Sequence, residues 1–332
     1  MNNIRYKVRR SVRRSVAGIL IRTLLILLLA GAAPLYASGV QETPPVQNLD
    51  RELTLALLPD VDSLPFVVAD LKGFFQEEGA HIRLLSFKSP VDRDAAFQAE
   101  KVDGVISDLL AAAFALNGGF DVTVASRTNG SYKLLASGSS GITGVPGFRG
   151  KGIGMSLNTI IEYSTDRMLT AAGLSGEDIE KVVIPQIPVR LEMLSSGKID
   201  GATLPEPLAT MAVLNGAKLI DSTDRMGINP GVLLFRSQVV RENPEAVRAL
   251  FRGYNRAVAW LAEASREEYI DDVIKAMDFP PAVRDVMVLP DYTPAGLPPE
   301  GEVTAVTGWL KERGLIDRTF SYGEMVTPGL LP

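Results

Sequence analysis

Twice along this chain a short apolar run is followed by a turn and then by a stretch of helical period. In the first series, apolar runs at 53–58, 81–87 and 102–106 alternate with expected helices at 64–78, 91–100 and 109–116. In the second, runs at 152–155, 182–184 and 201–204 alternate with expected helices at 159–172 and 189–196. Each helix carries the chain back to the end where the last strand began, so the pattern predicts α/β layering with parallel sheets covered by helices. The first helix places Leu64, Val67, Val68, Leu71, Phe74 and Phe75 on one stripe and closes at Glu78-Gly79. Lys101-Val102-Asp103-Gly104 returns as Lys198-Ile199-Asp200-Gly201, and Leu116-Asn117-Gly118 as Leu214-Asn215-Gly216, at offsets of 97 and 98 positions. Two related lobes in equivalent register explain that echo. After Asn229 a further apolar run at 232–235 leads into helices, the longest expected at 241–264.

The 332 residues suffice for two domains. With no cysteine, disulfides, zinc-cysteine sites, iron-sulfur clusters and thiol catalysis are excluded together. The one histidine, His81, follows a glycine turn at a strand start, which fits a rim position better than chemistry. The first 37 residues carry seven basic side chains and no acid, followed by an apolar run at 23–33, and read as a signal peptide cleaved near Ala37 or Gly39. An uncleaved anchor is the alternative. Residues 38–50, with Thr43-Pro44-Pro45, read as a flexible tether. The remainder has 27 basic residues against 39 acidic ones, with no basic face for DNA or RNA. Gly150-Lys151-Gly152-Ile153-Gly154 mimics a dinucleotide fingerprint, but it precedes its strand, so no nucleotide cofactor is expected.

Three stretches carry a family likeness: the helix end Gly73-Phe74-Phe75-Gln76-Glu77-Glu78-Gly79, the turn Asp103-Gly104-Val105-Ile106-Ser107-Asp108, and Asp200-Gly201-Ala202-Thr203-Leu204-Pro205-Glu206-Pro207. Together they resemble the solute-binding proteins of ABC importers in the thiamine-pyrimidine-precursor and sulfonate/taurine-binding (SsuA/TauA-like) superfamily, over about residues 51–320. The resemblance implies a type II periplasmic-binding-protein fold, in which two α/β lobes joined by a two-strand hinge enclose a ligand cleft. It puts the crossings near 135–141 and 229–233, lobe one at 51–137 plus 234–332, and lobe two at 138–233. It also implies a monomer outside the cytoplasmic membrane, an ABC permease as partner, a small-molecule ligand, no cofactor and no catalysis. An enzyme on the same fold, pyrimidine-synthase-like or chorismate-dehydratase-like, is the competing reading, and a sensor ectodomain is the third.

Physical reasoning reaches the same cleft, because ligands of open sheets sit beyond the carboxyl ends of strands, where helices begin. Those turns fall at 59–63, 87–89, 107–108, 157–159 and 204–207. The candidate ligand-binding residues are Asp60, Ser63, Phe87, Lys88, Ser107, Asp108, Asn158, Thr159, Tyr163, Glu206 and Asn229. Helix capping competes for several of them: Thr159 and Glu162 have capping-box spacing, Ser107 and Asp108 stand before a helix, and Glu206 suits a helix first turn. Phe66, Phe87 and Tyr163 compete between core packing and ring stacking. Lys88 is outnumbered in these turns by Asp60, Asp62, Asp108 and Glu206, which repel anions. Carboxylates instead accept from an exocyclic amine, so the expected cargo is an aminopyrimidine-like thiamine precursor, with sulfonate, nitrate or riboflavin as alternatives.

Overall fold

Runs rich in Leu, Val, Ile and Ala at the predicted spacings make interior strands buried on both faces, and the amphipathic stretches between them make the helices that cover them. The computed structural model describes residues 51–332; the expected signal peptide and tether lie outside the described residues. The strands are β1 (Leu53–Leu57), β2 (Ile82–Ser86), β3 (Gly104–Asp108), β4 (Val122–Arg127), β5 (Tyr132–Ala136), β6 (Gly152–Met155), β7 (Glu180–Val183), β8 (Gly201–Pro205), β9 (Lys218–Ser222) and β10 (Gly231–Arg236). They form two five-stranded sheets, ordered β2-β1-β3-β10-β4 and β7-β6-β8-β5-β9.

The sheets are mixed rather than parallel. In each, the strand delivered from the other sheet runs antiparallel to both neighbours: β10 between β3 and β4, and β5 between β8 and β9. A strand that arrives by a crossing, rather than through a helical crossover, is free of the rule that keeps βαβ units parallel. The echo in the sequence is a structural equivalence. Asp103 before β3 accepts from Thr54 N of β1 at 2.9 Å, and Asp200 before β8 accepts from Gly152 N of β6 at 3.0 Å. The next residue is glycine in both because the centre of the sheet leaves no room. A Cβ on Gly104 would stand 2.8 Å from Leu55 and Phe235 side-chain atoms and 2.9 Å from the Leu234 carbonyl oxygen. One on Gly201 would strike the Phe148 ring and stand 2.9 Å from the Leu135 carbonyl oxygen.

Strand pairing moves the first crossing. β4 ends in the first sheet at Arg127 and β5 starts in the second at Tyr132, so the chain crosses at 128–131, not 135–141. Leu134, Leu135 and Ala136, expected in lobe one, are an interior strand of the second sheet, fully buried. The second crossing, at 227–230, overlaps the expected span, but Val232 and Leu233 already belong to β10. The expected helix at 64–78 is two pieces, Leu64–Leu71 and Phe74–Glu77, separated where Gly73 takes φ 74°. The expected helix at 241–264 divides at Asn243, since a residue before proline avoids the helical region.

Contacts between the sheets' helical layers are specific. The helix Ile160–Ala171 meets the helix Glu300–Glu312 through an edge-to-face contact of Tyr163 and Trp309, centroids 5.5 Å apart. Arg313 reaches across to pair with buried Asp166, which Lys181 of the second sheet also approaches at 3.5 Å. If the central glycines are set by sterics, Gly104→Ala and Gly201→Ala each destabilise by about 1–3 kcal/mol, the usual cost of overpacking. Thermal melts of both variants would show midpoints several degrees lower; unchanged midpoints would contradict the equivalence.

Candidate functional site

The turns after β1 and β3 bring buried carboxyls to the junction of the two sheets. In the turn after β1, Asp60 is 5% exposed and accepts from the Ser63 amide at 3.2 Å and the Ser63 hydroxyl at 3.1 Å. The neighbouring Val61 N–H donates at 3.1 Å to the carbonyl of Glu206, in the turn after β8. At the end of β3, Asp108 is 2% exposed and caps the helix Leu109–Asn117 by accepting from Ala111 N at 2.8 Å. Its other oxygen accepts from Ile160 N at 3.4 Å, the first residue of a helix attached to the other sheet. One carboxylate therefore terminates a helix from each side, where both helix dipoles favour a negative charge. Arg93 lies beneath, fully buried, donating to Asp94 at 2.8 Å and to the Ile106 carbonyl at 3.0 Å. Its Nη2 and the Ser107 hydroxyl are buried without protein partners.

The crossings close the other flank. Asp62 accepts from the Gly130 amide and, at 3.3 Å, from the Tyr132 hydroxyl. Asn129 Nδ2 donates to the Tyr254 hydroxyl at 3.1 Å, and Tyr292 donates to the Val61 carbonyl at 2.8 Å. Asn229 ties the two crossings together: its Nδ2 donates to the Thr128 carbonyl at 2.7 Å and its Oδ1 accepts from Gly231 N at 3.1 Å. Two cavities border the junction. One of about 340 Å³ is lined by Arg127, Asn129, Asn229, Thr293 and Glu302. One of about 210 Å³ is lined by Asp94, Phe97, Asp108, Phe114, Asn158 and Thr159.

Burial dominates the electrostatics. It pushes Asp60 up to about 8, with Asp62 alongside adding to the shift, and pushes Asp108 up to about 6 against the opposing pull of Arg93. Burial also raises Asp62, though its donors oppose the rise. Burial and the neighbouring Asp62 charge together favour the protonated form of Asp60 at neutral pH, so the pair carries a proton. Asp62 has the richer set of donors, which leaves that proton on Asp60.

Of the residues singled out from sequence, Asp60, Ser63, Ser107, Asp108 and Thr159 come to this junction, and Asn229 stands at the crossings. Thr159 caps its helix by accepting from Ile161 N at 3.2 Å. Glu162, expected to complete that box at Thr159, instead accepts from Asn158 N at 2.7 Å, where Asn158 is exposed at φ 58°. Lys88 points outward, its side chain 72% exposed and 3.7 Å from Asp278. Phe87 packs against the apolar clusters of both sheets, and Tyr163 is buried on Trp309. Phe66 stacks at 4.7 Å on Tyr254, and His81 is exposed. Glu206 is buried, its carboxyl raised by that burial, in the wall of an apolar groove of about 400 Å³ with Val213, Leu219, Val286 and Val288. Sequence reasoning missed Arg93, Asn129, Gly130, Tyr132, Tyr254 and Tyr292. The polar stretch Thr128-Asn129-Gly130-Ser131 between two apolar runs was the one available signal.

The model of the NMT1-like family matches residues 47–277. A Bacillus subtilis (strain 168) protein whose name places it among aliphatic sulfonates-binding proteins is 24% identical over 269 residues, which cover 77% of this chain and 75% of that protein. The solved structure of the alkanesulfonate-binding protein SsuA from Xanthomonas axonopodis pv. citri, bound to MOPS, matches with a TM-score of 0.70 at 19% identity, covering 85% of this chain and 98% of that one. The desulfurization enzyme DSZB matches with a TM-score of 0.61 at 15% identity, covering 84% and 97%. The architecture is thus that of the periplasmic binding proteins, as the sequence resemblance implied, and it is shared by a receptor and an enzyme. With its model matched over more than half of the sequence, the chain belongs to the NMT1-like family.

Proposed function

We propose that this chain is an extracytoplasmic solute-binding receptor of an ABC importer, which captures a small amine-bearing solute between its two sheets and presents it to a permease. The observation that carries this reading is the carboxyl cluster Asp60, Asp62 and Asp108, set at the strand ends of the junction against one buried guanidinium, Arg93. Acceptors predominate there, and an oxyanion would face like charge. A solute with N–H donors on a small ring would be met, which favours the thiamine-precursor aminopyrimidines over sulfonate, nitrate or riboflavin. The half-protonated pair suits such a ring, since a carboxyl can donate to a ring nitrogen while accepting from the exocyclic amine.

In this reading lobe one comprises residues 51–127 and 231–332, lobe two residues 132–222, and the two crossings flex to admit the ligand. The protein acts as a monomer without a cofactor. Binding is favoured over chemistry because the chain has no cysteine and its one histidine is exposed. A thermal-shift screen of the chain against aminopyrimidines, thiamine, riboflavin, taurine, other sulfonates, nitrate and bicarbonate tests the assignment. A ligand at 100 times its dissociation constant stabilises by about 2.7 kcal/mol. A rise with an aminopyrimidine supports the reading, and a rise with oxyanions alone overturns it. Asp60→Asn is expected to weaken the aminopyrimidine by about 2- to 13-fold, the worth of a hydrogen bond to a neutral carboxyl; unchanged affinity would move the site elsewhere.

The same cluster sets a pH dependence. Asp60 holds its proton up to about 8 in the fold but releases it near its ordinary 3.8 when unfolded. Across that interval the folded state binds more protons, so stability falls as pH rises. Asp108, raised to about 6, adds to the fall at the lower end. The melting temperature of the ligand-free chain should be lower at pH 8 than at pH 5.5, and Asp60→Asn should flatten the slope. A midpoint that climbs with pH would contradict a buried, protonated Asp60.

A further inference from the structure

The crossing at 128–131 has left one sheet and not yet joined the other, so its N–H groups need acceptors from elsewhere. The Thr128 amide donates to the Gly231 carbonyl at 2.9 Å, and the donors that follow gather at one carboxylate. The Gly130 amide donates to Asp62 Oδ1, and the Tyr132 hydroxyl donates to Oδ2 at 3.3 Å. The Asn129 amide and the Thr128 hydroxyl, which has no partner elsewhere, lie beside the same group. Position 130 has to be glycine, because a Cβ there would fall on the Asp62 carboxylate itself. The carboxylate is 6% exposed and reaches the crossing from 68 residues away in sequence, so no local turn explains its placement. Two donors bonded to its two oxygens, with a further amide and an unpartnered hydroxyl beside them, make the kind of cage in which a protein holds a free oxyanion.

We propose that this cage is an oxyanion receptor filled by the chain's own Asp62, which makes Asp62 the specificity-determining residue that denies the junction to carboxylate and sulfonate solutes. The inference rests on the receptor reading for its bearing on solute choice, while the cage can be tested without any solute. An incoming anion has to displace a tethered carboxylate, which competes at the high effective concentration of an intramolecular group. It would also face the Asp108 carboxylate, whose oxygens already accept from the first turns of two helices. Truncating Asp62 reverses the situation, because the donors remain and their acceptor is gone.

The test is chemical rescue in the full-length protein. Formate is titrated into Asp62→Ala and followed by melting temperature and calorimetry, with chloride as the ionic-strength control. Formate should raise the Asp62→Ala midpoint by several degrees in a saturable manner while leaving the wild type and Asp62→Asn unmoved. Asp62→Ser, whose hydroxyl keeps one acceptor in the cage, carries the same test where the alanine variant does not fold. Methanesulfonate titrated into the wild type should give no binding. A truncated variant indifferent to formate, or a wild type that binds methanesulfonate, overturns the proposal. Rescue in a protein that ignores aminopyrimidines supports the cage and overturns the ligand reading; aminopyrimidine binding without rescue overturns the cage alone.

Discussion

A carboxylate removed from water has to be met by donors, or it costs several kcal/mol. Aspartates in this chain meet that demand with backbone N–H groups belonging to other elements. Asp103 fastens the start of β3 to β1, and Asp200 fastens the start of β8 to β6. Asp108 accepts from the first turns of two helices that cover different sheets, and Asp62 accepts from the crossing. Apart from the local Ala111 cap, each bond joins elements far apart in sequence, so these aspartates act as connectors whose removal would leave buried amides unpaired. The apolar clusters hold each sheet together, whereas the aspartates set how the sheets and the crossings meet.

That use of aspartate bears on function. In open α/β folds the helix amino termini at the strand ends are ready-made anion sites. Here two of those termini already hold Asp108, and the amides of the crossing already hold Asp62. The helix termini and crossing amides that an oxyanion could use are occupied from within, which leaves the buried Arg93 Nη2 and Ser107 hydroxyl as free donors among a majority of acceptors. Similarity to alkanesulfonate-binding proteins speaks for the architecture, whereas the proposed solute rests on the side chains at the junction. Fold and ligand chemistry separate because the first depends on strand order and the second on a few side chains at the turns.

Much of the fold was legible because its signal is periodic. The alternation of apolar runs and amphipathic helices located six strands of the two βα series, and the run at 232–235 marked β10. The repeated Lys-x-Asp-Gly marked the central strands because a buried Asp and a Cβ-free position recur wherever the sheet is tightest. β4, β5 and β9 escaped, since nothing local distinguishes a strand that pairs with a partner from the other half of the chain. The junction was half legible. Its turns follow from strand ends, so Asp60, Ser63, Ser107 and Asp108 could be found. Arg93 could not, because Asp92-Arg93-Asp94 looks like a solvated charge run until the helix buries its middle member. Tyr254 sits on the apolar stripe of its helix, and nothing in that stripe reveals that its hydroxyl meets Asn129.

The central claim is that a small amine-bearing ring is held between the two sheets by carboxyl acceptors. A crystal structure of the protein grown with an aminopyrimidine tests it most directly. The account predicts the ring at the junction, with its exocyclic nitrogen within hydrogen-bond distance of Asp60 or Asp108 and the Asp62 carboxylate still on the Gly130 amide. A ring bound elsewhere, or one that reaches no carboxyl, would contradict it.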